Sequence, residues 1–247
     1  MDLPGVPSSV LEALKGAARS LAIPRLALVG GVVRDQLLHQ RCGRAWSGVP
    51  DLDWVVEGDA AALLEELNRQ VGSERITGVQ EHGAFGTVAF QLDGIPQDLA
   101  TARQEHYPAP AENPVVRAGT LQADLARRDF TVNAMALDLV AGELIDLHHG
   151  SEDLVTGQLR FLHAGSVQDD PTRVIRAARY AARLGFQLAQ ESSEQIRSTI
   201  DQWPWAWGQG DPVLAAPPAL ATRLRMELER LLEREPWQQA LDLLEQG

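Results

Sequence analysis

The feature that most constrains the fold is a change of character near residue 147. Before it, short strand-like runs alternate with helical periodicities. After it, strand signals nearly vanish and helical spacing takes over. Upstream, Ser9-Val-Leu-Glu12 has the form of a capping box. The helix it opens carries Val10, Leu14, Ala17, Ala18 and Leu21 on one apolar face and is broken by Pro24. Residues 25–29 and 52–56 predict strands, residues 32–38 a helix, and Asp59 is placed to cap a helix through Gln70 with Leu63, Leu64 and Leu67 inward. Short extended runs follow at 75–77, 87–92 and 97–101. Residues 104–119 are polar and hold Pro108, Pro110 and Pro114, which predicts a loop; 130–135 predict a helix and 137–145 a small hairpin.

Downstream, Pro171 suits the first position of a helix through Leu184 that Gly185 stops. Residues 192–200 and 219–234 predict two more helices. Between them Trp203-Pro-Trp-Ala-Trp207 and a Gly/Pro/Ala-rich run to Pro218 predict a loop insertion. No internal repeat is present. The chain thus reads as a mixed α+β portion over residues 1–147 and an all-helical portion over 148–247.

With 45% hydrophobic residues, the 247-residue chain can bury a real core. The charge is 22 basic against 34 acidic, or −12, which argues against a protein that coats nucleic acid. A local basic cleft remains compatible with it. Lys15 is the only lysine, so the positive charge is carried by arginine, the better fork for phosphates and base edges. Cys42 stands alone, which removes disulfide frameworks and cysteine zinc sites. Residues 1–10 lack a secretory pattern and there is no apolar run of about 18 residues, so no membrane association and a cytoplasmic protein are expected.

Four constellations carry chemistry. Asp51 and Asp53 alternate with Leu52 in a strand-like run, so both carboxylates point to one face, which suits a hard cation such as Mg²⁺. Gly30-Gly31 leaves a strand and enters a helix containing Arg34; glycine lets backbone approach phosphate, and the helix start offers free N–H groups. Neither a P-loop nor a Rossmann fingerprint is present. Arg127-Arg-Asp-Phe-Thr-Val-Asn133 has adjacent arginines that cannot share one helix face, so one can reach a phosphate or ribose. Finally, Arg173, Arg176, Arg179 and Arg183 share one stripe of a helix just after Asp169 and Asp170. Like charges so spaced repel by a few tenths of a kcal/mol per pair, which points to an anionic partner. An Asp–Arg pair can also read base edges.

In this order, Gly30-Gly-Val-Val-Arg-Asp35, Asp51-Leu-Asp53, Arg127-Arg-Asp-Phe-Thr-Val-Asn-Ala-Met135 and Asp169-Asp-Pro-Thr-Arg173 resemble the motifs of the class II CCA-adding enzyme family. This is the tRNA nucleotidyltransferase and bacterial poly(A) polymerase family of the polymerase-β-like superfamily. Residues 176–186 and Leu224-Arg-Met-Glu-Leu-Glu-Arg230 are also similar to it. The resemblance implies a polymerase-β-like head over 1–147 with a mixed sheet, then a helical neck and start of body over 148–247. It implies addition of CMP and/or AMP, from CTP and ATP, to a tRNA 3′ end, with pyrophosphate released. Poly(A) synthesis, CC-only or A-only addition, and a non-catalytic nucleotide- or RNA-binding module are the alternatives. Asp51 and Asp53 would bind Mg²⁺, and Asp98 would be a third carboxylate. Gly31 and Arg34 would hold the triphosphate, with Gly30 shaping the turn. Arg128 beside Asp129 would contact the nucleotide, supported by Asn133. Asp170 and Arg173 would read the base without a nucleic-acid template, and Arg176 and Arg179 would contact the nucleotide further. Many relatives carry Glu where Asp169 stands, and most continue beyond the helices seen here. Weak tRNA binding, or reliance on self-association or a partner chain, is therefore expected.

Overall fold

The computed structural model describes residues 3–46, 51–82, 86–202, 216–234 and 236–246. The chain forms two compact units that are not consecutive halves. The first comprises residues 1–104, 116–128 and 132–155, the second 105–115, 129–131 and 156–247.

In chain order the first unit begins with α1 (Ser8–Ser20), β1 (Leu26–Val29), α2 (Gly31–Cys42), β2 (Leu52–Val56), α3 (Ala60–Val71), β3 (Ile76–His82), β4 (Thr87–Leu92) and β5 (Ile95–Thr101). A ribbon of β6 (Arg103–His106) and β7 (Val115–Ala118) follows, its residues 105–115 assigned to the second unit, then α4 (Leu121–Ala126), β8 (Ala136–Asp138), β9 (Glu143–Ile145) and α5 (Gly150–Thr156). Seven strands make one sheet in the order β3-β4-β5-β2-β1-β8-β9. Within this sheet, among the described residues, only β2 and β5 pair in parallel. The run Leu52–Val56 begins with strand alternation, Leu52 and Trp54 buried and Asp53 facing out, and ends with Val55 and Val56 both buried. Trp54 keeps its one polar atom satisfied inside the core, donating Nε1–H to Gln97 Oε1 at 2.8 Å. Leu63 and Leu67 of α3 are fully buried, and Asp59 caps that helix by accepting from the N–H groups of Ala61 and Ala62.

The second unit holds β10 (Gln158–Leu159), α6 (Ser166–Asp169), α7 (Arg173–Leu184), β11 (Gln187–Leu188), α8 (Gln190–Asp201), α9 (Pro218–Arg234) and α10 (Trp237–Gln246). Gly185 ends α7 in the left-handed conformation, the position a side chain resists. Phe130 stacks on Phe161 and meets Tyr180 edge-on, the rings 5.3 and 5.7 Å apart.

Several elements depart from the sequence reading. The capping box at Ser9 does not form: α1 starts two residues earlier than that box would place it, with Pro7 at the cap and no side-chain cap bond. Leu21 lies past the helix end and is exposed. Residues 104–119 are not all loop. The three prolines fall between β6 and β7, which leaves both strands their N–H groups for pairing. Residues 130–135 make one 3₁₀ turn at Thr131–Asn133 instead of a helix, because Phe130 bridges Phe161 and the Thr131 N–H donates to Arg160 O. Pro171 lies in the turn before α7, not in the helix. The two-residue strands β10 and β11 and the short α4, α5 and α6 are too brief to show a period. Most of the Trp-rich insertion, residues 203–215, lies outside the described residues.

Candidate active site

Two sets of expected residues lie in different units. In the first unit, β2 and β5 run in parallel with Asp53 and Asp98 as register partners, and both side chains are on the exposed face. Neighbouring strands are about 4.8 Å apart, so the two carboxylates are neighbours. Asp51, just before β2, is also exposed. The Asp53 carboxyl is pushed up to about 6. Burial is the main cause, the charges of Asp98 and Asp51 add to it, and Arg128 opposes it. Among the described residues no three His, Cys, Asp or Glu side chains converge into a ready-made metal cage.

β1 ends at Val29, and Gly30 turns the chain into α2 with φ +72°. A Cβ on Gly30 would lie 3.3 Å from Arg128 Nη1 and 3.7 Å from Asp53 Oδ2, so glycine lets the backbone come close to both charges. A Cβ on Gly31 would sit 3.5 Å from Arg34 Nη2. Arg34 is buried: it grips its neighbour Asp35 through Nε and Nη2 and donates Nη1–H to Asn133 Oδ1 at 2.8 Å. The Asn133 carbonyl accepts from Arg128 Nη1 at 3.5 Å. Arg34, Asn133 and Arg128 thus form one connected set.

In the second unit, Asp129 accepts its neighbour Phe130's N–H and pairs with Arg176 at 3.3 Å. The stripe predicted on α7 forms, but it is not a bare basic face. Arg176 and Arg179 both close on Glu227 of α9, which is 2% exposed and also takes Arg230. Burial works against the charge of Arg176, but Asp129, Glu227 and Asp170 outweigh it and hold the guanidinium more firmly protonated than a free arginine. Arg183 is exposed and stacks over the Tyr180 ring. Asp170 is buried; its Oδ1 accepts from Thr172 Oγ1 at 2.7 Å and from the Thr172 N–H. Arg173, buried beside it, donates its N–H to Asp170 O and Nη1–H to Ser166 O.

Four participants were missed by sequence reasoning. Asp124, fully buried on α4, holds both Arg127 and Arg128. Glu227 pairs with two arginines of the α7 stripe, Arg176 and Arg179. Arg223 of α9 pairs with Asp170 at 3.5 Å and donates to the carbonyls of Ala111 and Glu112. Tyr107 has its phenol pushed up to about 12, by burial first and then by Glu105, against Arg173. Only Asp124 left a local signal, an acid three and four residues before two adjacent arginines.

The seven-stranded sheet, with paired carboxylates on β2 and β5 and a glycine turn after β1, defines a polymerase-β-like nucleotidyltransferase head followed by a helical part. The family model for the "Poly A polymerase head domain" matches residues 26–160. The chain belongs to that family, the class II CCA-adding enzyme and bacterial poly(A) polymerase family. It is 42% identical over 208 residues to a CC-adding tRNA nucleotidyltransferase of Deinococcus radiodurans, covering 81% of this chain and 52% of that protein. It is 39% identical over 180 residues to an A-adding tRNA nucleotidyltransferase of Aquifex aeolicus, covering 72% of this chain and 20% of that one. A solved tRNA nucleotidyltransferase, complexed with a primer tRNA and an incoming ATP analog, superposes with TM-score 0.72 at 30% identity, covering 94% of this chain and 60% of its own. This chain therefore spans about half the length of the CC-adding relative and a fifth of that of the A-adding one. No helix among the described residues is long and apolar enough to cross a membrane.

Proposed function

We propose that this chain is the catalytic part of a template-independent RNA nucleotidyltransferase that adds CMP and/or AMP to a tRNA 3′ end. On this reading residues 1–147 are the catalytic head, and residues 148–247 the helical part that reads the nucleotide and engages RNA, in the cytoplasm. The observation that carries the reading is the side-by-side placement of Asp53 and Asp98 beside Arg128 and Gly30. Burial first, and then the charges of Asp98 and Asp51, push the Asp53 carboxyl up to about 6, and carboxylates so gathered fit a divalent cation better than they fit each other. Their donors are all oxygen, which suits Mg²⁺, an ion that keeps waters and takes phosphates in place of a full protein cage. Asp51 and Asp53 would hold it. Bound there, Mg²⁺ supplies Lewis-acid polarisation of the triphosphate and of the attacking hydroxyl. Arg128 faces the same spot and would take phosphate oxygens. Gly30 and Gly31 let the backbone approach those oxygens, and Arg34, fixed by Asp35 and Asn133, keeps the start of α2 in place. Asp170 and Arg173 would read the base, and Arg176 and Arg179 would contact the nucleotide further. The 3′-hydroxyl oxygen attacks the α-phosphorus and gives its proton to solvent, the bond from that phosphorus to the β-phosphate oxygen breaks, and pyrophosphate leaves. The protein's share is positioning and charge.

A CC-only or A-only enzyme is the second reading, favoured by similarity to one protein named CC-adding and another named A-adding. Both readings are tested by giving the protein tRNA ending at the discriminator base, at C or at CC, with one labelled nucleotide at a time and Mg²⁺. CMP addition to the first two and AMP addition to the third supports CCA synthesis. CMP addition to the first two alone identifies a CC-adding specialist, AMP addition to the third alone an A-adding one, and long AMP tracts a poly(A) polymerase. Nucleotide binding without pyrophosphate release identifies a non-catalytic module.

A further inference from the structure

Arg127 and Arg128 are adjacent, yet both turn back to the same carboxylate. Asp124 on α4 is fully buried, and its two oxygens are shared out. Oδ1 accepts from Arg127 through Nε at 3.0 Å and Nη2 at 2.7 Å, while Oδ2 accepts from Arg128 Nη2 at 3.0 Å. One buried negative charge therefore serves two guanidiniums, and the trio keeps a net positive charge.

The excess has a direction. Arg128 Nη1 lies 3.3 Å from where a Gly30 Cβ would be, a point 3.7 Å from Asp53 Oδ2. Its Nε is buried and has no hydrogen-bond partner among the described residues. Arg128 thus faces Asp53, but no ion pair joins the two among the described residues. A guanidinium free to move so close to a carboxylate would close on it, since a charge-assisted hydrogen bond in a partly buried site is among the stronger available. The Asp124 tether and the weaker bond to the Asn133 carbonyl hold it back.

We propose that Asp124 is a positioning residue: its carboxylate holds Arg128 at a stand-off from Asp53, so that the guanidinium meets an incoming polyphosphate instead of capping the carboxylate. The inference rests on the nucleotidyltransferase reading above. Arg127 is the second claimant on Asp124, and its own removal should cost the polyphosphate little.

The test is a double-mutant cycle on the full chain, read as the Kd of CTP, of ATP and of inorganic tripolyphosphate in Mg²⁺. Arg128→Ala and Asp124→Asn should each raise all three Kd values roughly ten-fold. After Asp124→Asn only one side-chain oxygen remains to accept, and the new amide N–H faces an arginine N–H. If Asp124 acts through Arg128, the double variant is no worse than Arg128→Ala alone, within about two-fold. Additive losses, or an Asp124→Asn protein that binds normally, overturn the proposal. Asp124→Glu should recover part of the loss, which a purely packing role for Asp124 would not predict. If Asp124→Asn does not fold, Arg127→Leu decides. It leaves Asp124 wholly to Arg128, so binding within about two-fold of the wild type supports the proposal, and a loss of about ten-fold overturns it. Tripolyphosphate separates the two layers. Wild-type protein that binds it but neither nucleotide overturns the nucleotidyltransferase reading and leaves the tether to the same cycle. Normal nucleotide binding with additive losses overturns the tether alone, and no binding of any of the three overturns both.

Discussion

On the exposed face of β2 and β5, Asp53 feels Asp98 and Asp51 with Arg128 as the opposing charge. On α7, Arg176 and Arg179 instead close on a buried Glu227 that has no exposure to spare. The first arrangement keeps charge in hand, the second uses it internally. An unbalanced cluster raises the free energy of the empty protein and lowers it again when a counter-ion binds, so it belongs where a ligand comes and goes. A balanced, buried cluster is stable without any ligand and fixes the geometry of its own side chains. Over Arg176 and Arg179, the arginine stripe that suggested an anionic partner is also paired with Glu227 within the second unit.

The largest effect should come from the unbalanced side. Asp53→Ala should lower CMP and AMP incorporation by on the order of a thousand-fold or more, because it removes the carboxylate best placed for the cation. Thermal stability without Mg²⁺ should not fall, since the variant also removes repulsion with Asp98 and Asp51. An active Asp53→Ala protein in the labelled-nucleotide assay would break the contrast at its root.

The balanced side should show the reverse. Glu227→Ala leaves Arg176, Arg179 and Arg230 around a vacated buried charge, and breaking a buried pair from one side costs about 3–5 kcal/mol. Urea denaturation, with or without Mg²⁺, should record that loss. A loss below about 1 kcal/mol, the scale of an exposed pair, would show that Glu227 is not the keystone of the α7–α9 contact.

A smaller effect separates the two by pH. Asp53 has its folded value at about 6 against 3.8 for the unconstrained group, so the folded protein binds the extra proton between those values. Stability from this group is therefore greatest at low pH and falls as pH rises through about 4 to 6, then levels off. Mg²⁺ binds the ionised form, so it should raise the melting temperature at about pH 7.5 and leave it unchanged at about pH 4.5. Asp53→Asn should flatten both responses. An equal Mg²⁺ effect at the two pH values would remove the carboxylates as its cause.

How much of this was legible in the sequence follows from the range of each interaction. The alternation Leu52, Asp53, Trp54 announced a strand with its acid outward, and the glycine turn announced a close backbone approach; both are local. That Asp98 stands opposite Asp53 depends on a parallel pairing across 45 residues, which no window of sequence contains. Arg176 meets Glu227 from 51 positions away, so the stripe was visible and that pairing was not. The same logic holds for β6 and β7: the prolines between them give the whole stretch the look of a loop, although they mark only the turn.

The smallest prediction calibrates the others. Asp59 was legible as a helix cap, and it caps α3 by accepting from Ala61 and Ala62 N–H at 2.9 and 3.4 Å. Asp59→Ala should cost about 1 kcal/mol in urea denaturation, the ordinary value of an N-cap. The cap lies in the first unit, as the carboxylate cluster does, but it is not among the charges that act on Asp53. The loss should therefore be the same with and without Mg²⁺, and CMP and AMP incorporation should stay within about two-fold of wild type. If removing this cap also removed the Mg²⁺ response, stability of the first unit and readiness of the Asp53 cluster would be one property, and the contrast between a cluster that waits for a ligand and a clamp that does not would have to be redrawn around α3.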